Sequence, residues 1–206
     1  MTLTGNPSLV NPNFDTPPDN PLILLSEWLT TADQLNISEP RSMILSTVDT
    51  FNRPSSRVVL IKKCNANGII FCSSQTSAKG KDLAQNSWAA GTLWWRETMQ
   101  QINFQGTVDI LANEVSDTLF YERPKAAQAV SACSTQSECL IDQHELKNKI
   151  RLLVEQSTLI TRPKTWHAYQ MSITSIEFWH GGKDRFHHRL RYDLFDQLWQ
   201  HKKLQP

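Results

Sequence analysis

Between Met43 and Ile110 the chain is a succession of short runs rich in β-branched and aromatic residues, and this restricts its fold more than any other feature. The runs are Met43 to Val48, Ser55 to Lys62, Ile69 to Ser73, Trp88 to Arg96 and Gln101 to Ile110. Turn-forming residues separate them at Asp49 to Pro54, at Asn65 to Gly68 and around Glu97 and Thr98. Strands joined by such short connections pair antiparallel, because a parallel pair needs a crossover of a dozen residues or more. An antiparallel sheet or barrel is expected.

Helical spacing brackets this region. After Asn20 and Pro21, which suit a helix start, Leu25, Trp28, Leu29, Ala32 and Leu35 recur on one face. Gln75 to Gly80 opens another helix. Three more are expected, from Asn113 to near Pro124, over Lys125 to Cys133, and from Asp142 to Gln156 with Leu146, Ile150, Leu153 and Val154 in the core. Strand character returns at His167 to Trp179 and at Arg185 to Tyr192. The order is strands, helices, strands, an α+β chain dominated by β. Pro7, Pro12, Pro17 and Pro18 interrupt any regular element near the start, so residues 1–18 are expected to form a mobile arm outside the core, and residues 19–206 one domain.

Charge excludes one class of partner. The 206 residues carry 21 Lys and Arg against 20 Asp and Glu, too balanced for a protein that neutralises a polyanion, so no nucleic acid is expected. The first 40 residues hold five acids and no base, which leaves a mildly basic body. No apolar run is long enough for a membrane helix, and a secretory leader would need a cation before Arg41. Cys64, Cys72, Cys133 and Cys139 have no metal-binding spacing, so a cytoplasmic protein with reduced thiols and no metal is expected.

Among polar residues the densest group lies near the C-terminus. On a strand, Arg185, His187, Arg189 and Arg191 would share a face, either as an anion site or as a solvated edge. Arg57 and Lys62 bracket an apolar run, either as the solvated ends of a buried strand or as ligands on its two faces. Lys79 stands in the first turn of an expected helix, which is either an ordinary capped start or a place where amides and an ammonium hold an anion. Gln101, Gln136 and Ser137 supply amide and hydroxyl groups of the kind that bind a heterocycle's edge. Nucleotide-loop, serine-hydrolase and zinc-protease motifs do not occur.

Arg57 to Lys62, Ser77-Ala78-Lys79-Gly80, Trp95 to Gln101, Arg123-Pro124, Ser134 to Ser137, Glu177-Phe178-Trp179, Arg185 to Arg189 and Leu204-Gln205-Pro206, in that order, resemble the pyridoxamine 5′-phosphate oxidase family. The resemblance implies an antiparallel Greek-key FMN-binding split barrel with flanking helices, a homodimer with FMN between subunits. It implies flavin contacts at Arg57, Val58, Val59, Leu60, Ile61, Lys62, Cys72, Ser73, Ala78, Lys79, Gln101, Gln136, Ser137, Trp179 and Arg189, with Ala78 where the family commonly has Arg. Substrate contacts are implied at Lys62, Arg123, Arg185 and His187, the last two orienting the reacting carbon and assisting proton removal. Leu119 and Ala127 stand where the vitamin oxidases carry hydroxyl donors. Trp95 to Gln101, Arg189 to Asp193 and Leu204-Gln205-Pro206 are similar to the phenazine-biosynthesis branch of the same family. The expected reaction is a two-electron oxidation, by O₂ with release of H₂O₂, of a vitamin B6 phosphate or a reduced phenazine precursor. A flavin-binding protein without catalysis is the alternative.

Overall fold

The computed structural model describes residues 4–156 and 158–206. The first long element, α1 (Pro21–Gln34), begins where the Asn20 side chain accepts from the Leu22 amide. Pro21 fits that first turn because its missing N–H would have had no helical partner. Leu22, Leu25, Trp28, Leu29 and Ala32 are buried along one side.

Then come β1 (Ser42–Val48), β2 (Pro54–Leu60), β3 (Lys63–Asn65), β4 (Gly68–Ser74), α2 (Ala78–Gln85), β5 (Trp88–Trp95) and β6 (Gln100–Ile110). Three helices follow, α3 (Asn113–Tyr121), α4 (Lys125–Cys133) and α5 (Gln143–Glu155), and three strands end the chain, β7 (Trp166–His180), β8 (His188–Phe195) and β9 (Leu198–Leu204). The sheet runs in the order β2-β1-β5-β6-β7-β4-β3, with β8 and β9 added beyond β7. Its ladders are antiparallel, as the short connections require.

One edge of β7 is shared, its first half pairing with β4 and its second half with β8. The sheet therefore splits, and it does not close. Where β2 gives way to β3, the Lys62 amide donates to the Ile70 carbonyl of β4 at 2.7 Å. Register between β6 and β7 shifts at Gln105/Gly106, and Gly106 is required there, since a Cβ would lie 1.9 Å from the Ser172 carbonyl oxygen. The barrel interior holds Met43, Leu45, Phe71, Trp95, Ile102, Phe104, Phe178 and Leu190, all fully buried. A smaller cluster under the helices contains Ile70, Leu119, Phe120, Ala129, Ile160, Trp166 and Ala168.

Three expectations are corrected. α5 buries no residue completely, and Leu152 is half-exposed, because the helix lies on the smaller cluster through Ile150, Leu153 and Val154 alone. The strand expected from Arg185 starts at His188, since Gly182 to Phe186 form a turn. Nor do residues 1–18 all stand outside the core. Phe14 is 7% exposed, stacks on Trp28 at 6.1 Å, and Trp28 in turn meets Phe178 edge-on. The Tyr192 hydroxyl donates to the Pro18 carbonyl at 2.9 Å, and the His180 ring Nε2 donates to the Pro7 carbonyl at 3.2 Å. Replacing Phe14 with Ala should lower unfolding free energy by about 3 kcal/mol, the usual cost of emptying an aromatic site. Urea denaturation checks this; a change under about 0.5 kcal/mol would mean that the arm is not part of the cooperative core.

Candidate functional site

The residues named from the sequence assemble into three groups. The first surrounds Lys79. Ser77 caps α2, its hydroxyl accepting from the Gly80 amide at 3.3 Å, and this turn directs Lys79 inward. The Lys79 ammonium donates to Ser73 Oγ at 3.0 Å, Ser77 Oγ at 3.3 Å and Gln136 Oε1 at 3.3 Å. Ser137 Oγ accepts from the Ala78 amide at 3.2 Å. Lys79 is 7% exposed, and no carboxylate among the described residues pairs with it. Burial, with Arg57 nearby, pushes its pKa below the usual lysine value. Arg57 reaches the same region from β2, donating to Thr47 Oγ1 at 2.7 Å and the Leu45 carbonyl at 3.2 Å, with Asp82 at 3.8 Å. Two cations with one carboxylate, Asp82, paired to them among the described residues favour an anionic occupant.

The second group comprises Lys62, Cys72 and Arg123. The Arg123 guanidinium lies 5.1 Å from the Trp166 ring and 5.7 Å from the Phe120 ring, and donates to Ser131 Oγ at 2.8 Å. Burial raises the Cys72 thiol to about 11, although Lys62 and Arg123 act in the opposite direction. At pH 8 roughly one Cys72 in a thousand is then a thiolate. Iodoacetamide should modify exposed Cys139 well before Cys72, read by peptide mass spectrometry; equal rates would contradict the burial. Leu119 belongs to the apolar cluster against which Cys72 of this group packs. It is 2% exposed within the smaller apolar cluster, and Ala127 stands on the first turn of α4.

In the third group, Trp179 packs between Trp94 at 6.0 Å and the His187 ring at 4.8 Å. Gln101 is opposite Trp179 in register, and Arg189 is opposite it on the other side. Arg189 forms two hydrogen bonds to Glu177, at 2.8 and 3.0 Å, and a third to the Gln205 carbonyl at 3.1 Å. Arg191 pairs with Asp193. The cationic row read from the sequence is thereby corrected: only Arg189 and Arg191 lie in β8, and each already has a carboxylate, while Arg185 is exposed at a turn with φ +69°. Glu177 carried no assigned role in the sequence, because its pairing depends on the β7–β8 register. Ser131 was missed too, and Ser77, read as part of a helix start, was not assigned its contact with Lys79.

These groups do not meet within one chain. Cys72 and Ser73 pair with Ala168 and His167, at the beginning of β7, whereas Gln101 and Arg189 pair with Trp179, near its end. Ala168 and Trp179 are separated by about 36 Å of extended strand at ~3.3 Å per residue. Between the two ends, one row across the sheet runs Val58, Ile44, Thr92, Asn103, Glu177 and Arg191 on the side away from the core. Val58 is 66% exposed and Ile44 43%, and Leu60 and Trp94 in the adjoining row are exposed as well. Val59 is half-buried and Ile61 fully buried, so the Arg57–Lys62 stretch alternates between this face and the core.

Comparison with known proteins yields two family matches, one described as Pyridoxamine 5′-phosphate oxidase over residues 29–156 and one as Pyridoxine 5′-phosphate oxidase C-terminal dimerisation region over residues 166–206. The chain is 38% identical over 205 residues to the dihydrophenazinedicarboxylate synthase of Pseudomonas chlororaphis, covering 100% of this chain and 92% of that one. It is 36% identical over 189 residues to the pyridoxine/pyridoxamine 5′-phosphate oxidase of Mannheimia succiniciproducens, covering 91% and 90%. The crystal structure of PhzG from Burkholderia lata in complex with tetrahydrophenazine-1-carboxylic acid superposes with a TM-score of 0.95 at 36% identity, over 98% of this chain and 100% of that one. A pyridoxamine 5′-phosphate oxidase-related FMN-binding protein from Nostoc punctiforme shares the fold at 15% identity, with a TM-score of 0.76.

Proposed function

This chain belongs to the pyridoxamine 5′-phosphate oxidase family, and from that premise we propose that it is a homodimeric FMN-dependent oxidase of a reduced, carboxylated nitrogen heterocycle. The observation that carries the cofactor is the buried Lys79 ammonium, held by hydroxyls and an amide with no carboxylate among the described residues. A phosphate supplies the missing negative charge, and it also suits the Ala78 amide, Ser137 and Arg57. The stretch Val58 to Lys62, with Cys72 and Ser73, would run alongside the flavin. When bound, the flavin accepts two electrons and passes them to O₂, giving H₂O₂.

Gln101, Trp179 and Arg189 lie at the far end of β7, so in this reading a second copy supplies them. An isologous pair would do so twice, completing two sites per dimer. The exposed apolar row through Val58 and Ile44, and the match to a dimerisation region, support the same assembly. Lys62 and Arg123 would grip the substrate's anion, with Arg185 and His187 of the second copy orienting its ring.

The choice of substrate rests on Leu119. A side chain buried in an apolar cluster offers no hydrogen bond, and Ala127 offers none either. Each missing bond to a charged group weakens phosphate-ester binding by about 1.5–3 kcal/mol, so the vitamin phosphates are disfavoured by tenfold or more. A flat ring carrying a carboxylate needs only Lys62 and Arg123. The test compares kcat/KM for pyridoxine 5′-phosphate, pyridoxamine 5′-phosphate and tetrahydrophenazine-1-carboxylic acid, with peroxide release recorded. The phenazine precursor should be preferred by at least about tenfold. The reverse order would return the vitamin substrate, and flavin-loaded protein that oxidises none of the three would be a binding module.

A further inference from the structure

We propose that the Gly182 amide holds His187 as the neutral Nε2–H tautomer, so that this ring enters the site as a hydrogen-bond donor and not as the base that removes a proton. What the ring faces rests on the function proposed above; the tautomer itself does not.

The decisive contact is between backbone and ring. The Gly182 nitrogen lies 3.1 Å from His187 Nδ1. A backbone N–H can only donate, so Nδ1 presents its lone pair, and the proton of a neutral imidazole is then on Nε2. To act as a base through Nε2, the ring would have to carry its proton on Nδ1, directed at the Gly182 N–H. To act through Nδ1, it would have to surrender that hydrogen bond. Neither route is open in this geometry, whereas donation from Nε2 needs no rearrangement. Among the described residues nothing else bonds to either ring nitrogen, so Nε2 is the atom left for a ligand.

The turn that aims the Gly182 amide is tightly made. The Arg185 amide donates to the Gly182 carbonyl at 3.3 Å, and Asp184 Oδ1 accepts from the Phe186 amide at 2.9 Å. Arg185 adopts φ +69°, a left-handed conformation that costs a non-glycine residue energy and clusters at functional sites. At Gly182 a Cβ would approach the Phe186 carbonyl oxygen to 2.3 Å and Asp184 Oδ1 to 2.6 Å, so only glycine keeps the amide where it is. Trp179, with ring centroid 4.8 Å from that of His187, restrains the other side of the imidazole. Gly182 is thus a positioning residue, acting through its backbone on a ring that would touch the substrate.

The first test reads the tautomer directly. In ¹⁵N-labelled, flavin-loaded full-length protein, long-range ¹H–¹⁵N correlation spectra at neutral pH should show His187 protonated at Nε2 with Nδ1 an acceptor. An Nδ1–H tautomer would overturn the proposal. Gly182→Ala should disturb that pattern, and an unchanged spectrum would show that the amide does not set it. The second test is kinetic. His187→Gln keeps an N–H near the Nε2 position but has no nitrogen able to accept a proton, so it should retain kcat/KM within about tenfold of the unaltered protein. His187→Ala should lose about 100-fold, as when a donor to developing charge is removed. Equal losses in the two variants would assign the ring as a base. If the unaltered protein oxidised no substrate, the oxidase reading would fail, and the spectrum would still decide the tautomer.

Discussion

Replacing Lys79 with Gln should weaken flavin binding by about 10- to 100-fold, the effect of removing a charge-assisted contact to phosphate while keeping the side chain polar. Equilibrium titration of flavin fluorescence into the flavin-free protein measures it. The physical basis is that Lys79 is buried against Ser73, Ser77 and Gln136, all neutral, so the protein alone does not compensate its charge. A pH signature follows, and its sign is fixed by the direction of the shift. Burial, helped by Arg57, lowers the folded-state pKa below the ordinary 10.5. Between that lowered value and 10.5 the unfolded chain binds more protons than the folded one, so stability of the flavin-free protein rises with pH over this window. Flavin affinity falls over the same window, as the ammonium loses its proton. Lys79→Gln should flatten both trends, and a variant that binds flavin as tightly as the original would remove Lys79 from the phosphate site.

The second large effect is restoration of activity by mixing two impaired proteins, assayed at a flavin concentration that fills only intact sites. Lys79→Gln damages the end of the site near β4, and Trp179→Ala damages the end near β8. If each site draws one end from each chain, a mixed dimer holds one site with both defects and one with neither. Co-refolded or co-expressed variants should then recover about a quarter of the original activity, because half of the randomly formed dimers are mixed and half of their sites are whole. Subunits that are each complete would recover nothing beyond the two residual activities. Placing a charge in the exposed row, for example Val58→Glu, should lower both the dimer fraction in sedimentation and flavin retention, since the two are one event in this arrangement.

How much of this was legible in the sequence depends on the range of the interactions involved. Five strands between Met43 and Ile110 followed from alternation and turn residues, with observed boundaries that differ by a residue or two, whereas the three-residue β3 (Lys63–Asn65) was too short to show alternation and was not expected. Helix α4 begins and ends at Lys125 and Cys133 as expected, with Pro124 preceding it. The last strand was missed. Its hairpin turns through Asp196 and Gln197, both at positive φ, and Asp-Gln lacks the glycine that usually marks such a turn. Phe14 was placed outside the core because prolines surround it, yet burying one aromatic ring against Trp28 needs no regular backbone.

Within the site, the family's ordered blocks identified which residues to examine, and local rules allowed either an anion or an ordinary helix cap near Lys79. They did not indicate which cations were already neutralised. Arg189 and Arg191 looked like free charge along one strand face; the β7–β8 register brings Glu177 to Arg189, and Asp193, two residues further along the same face of β8, pairs with Arg191. Conversely the buried Lys79 has no carboxylate paired with it among the described residues, which spacing along the chain does not reveal.

Local pattern and ordered motifs thus determined the antiparallel β-rich chain, its family and the residue types at the site, because these depend on spacing along the backbone. Tertiary structure alone decided that the first two groups and the third sit at opposite ends of β7, that Glu177 neutralises Arg189, and that the Gly182 amide meets His187 Nδ1. Each of those facts depends on register and turn geometry, which place residues far apart in sequence beside one another and hold apart residues that one motif seems to unite.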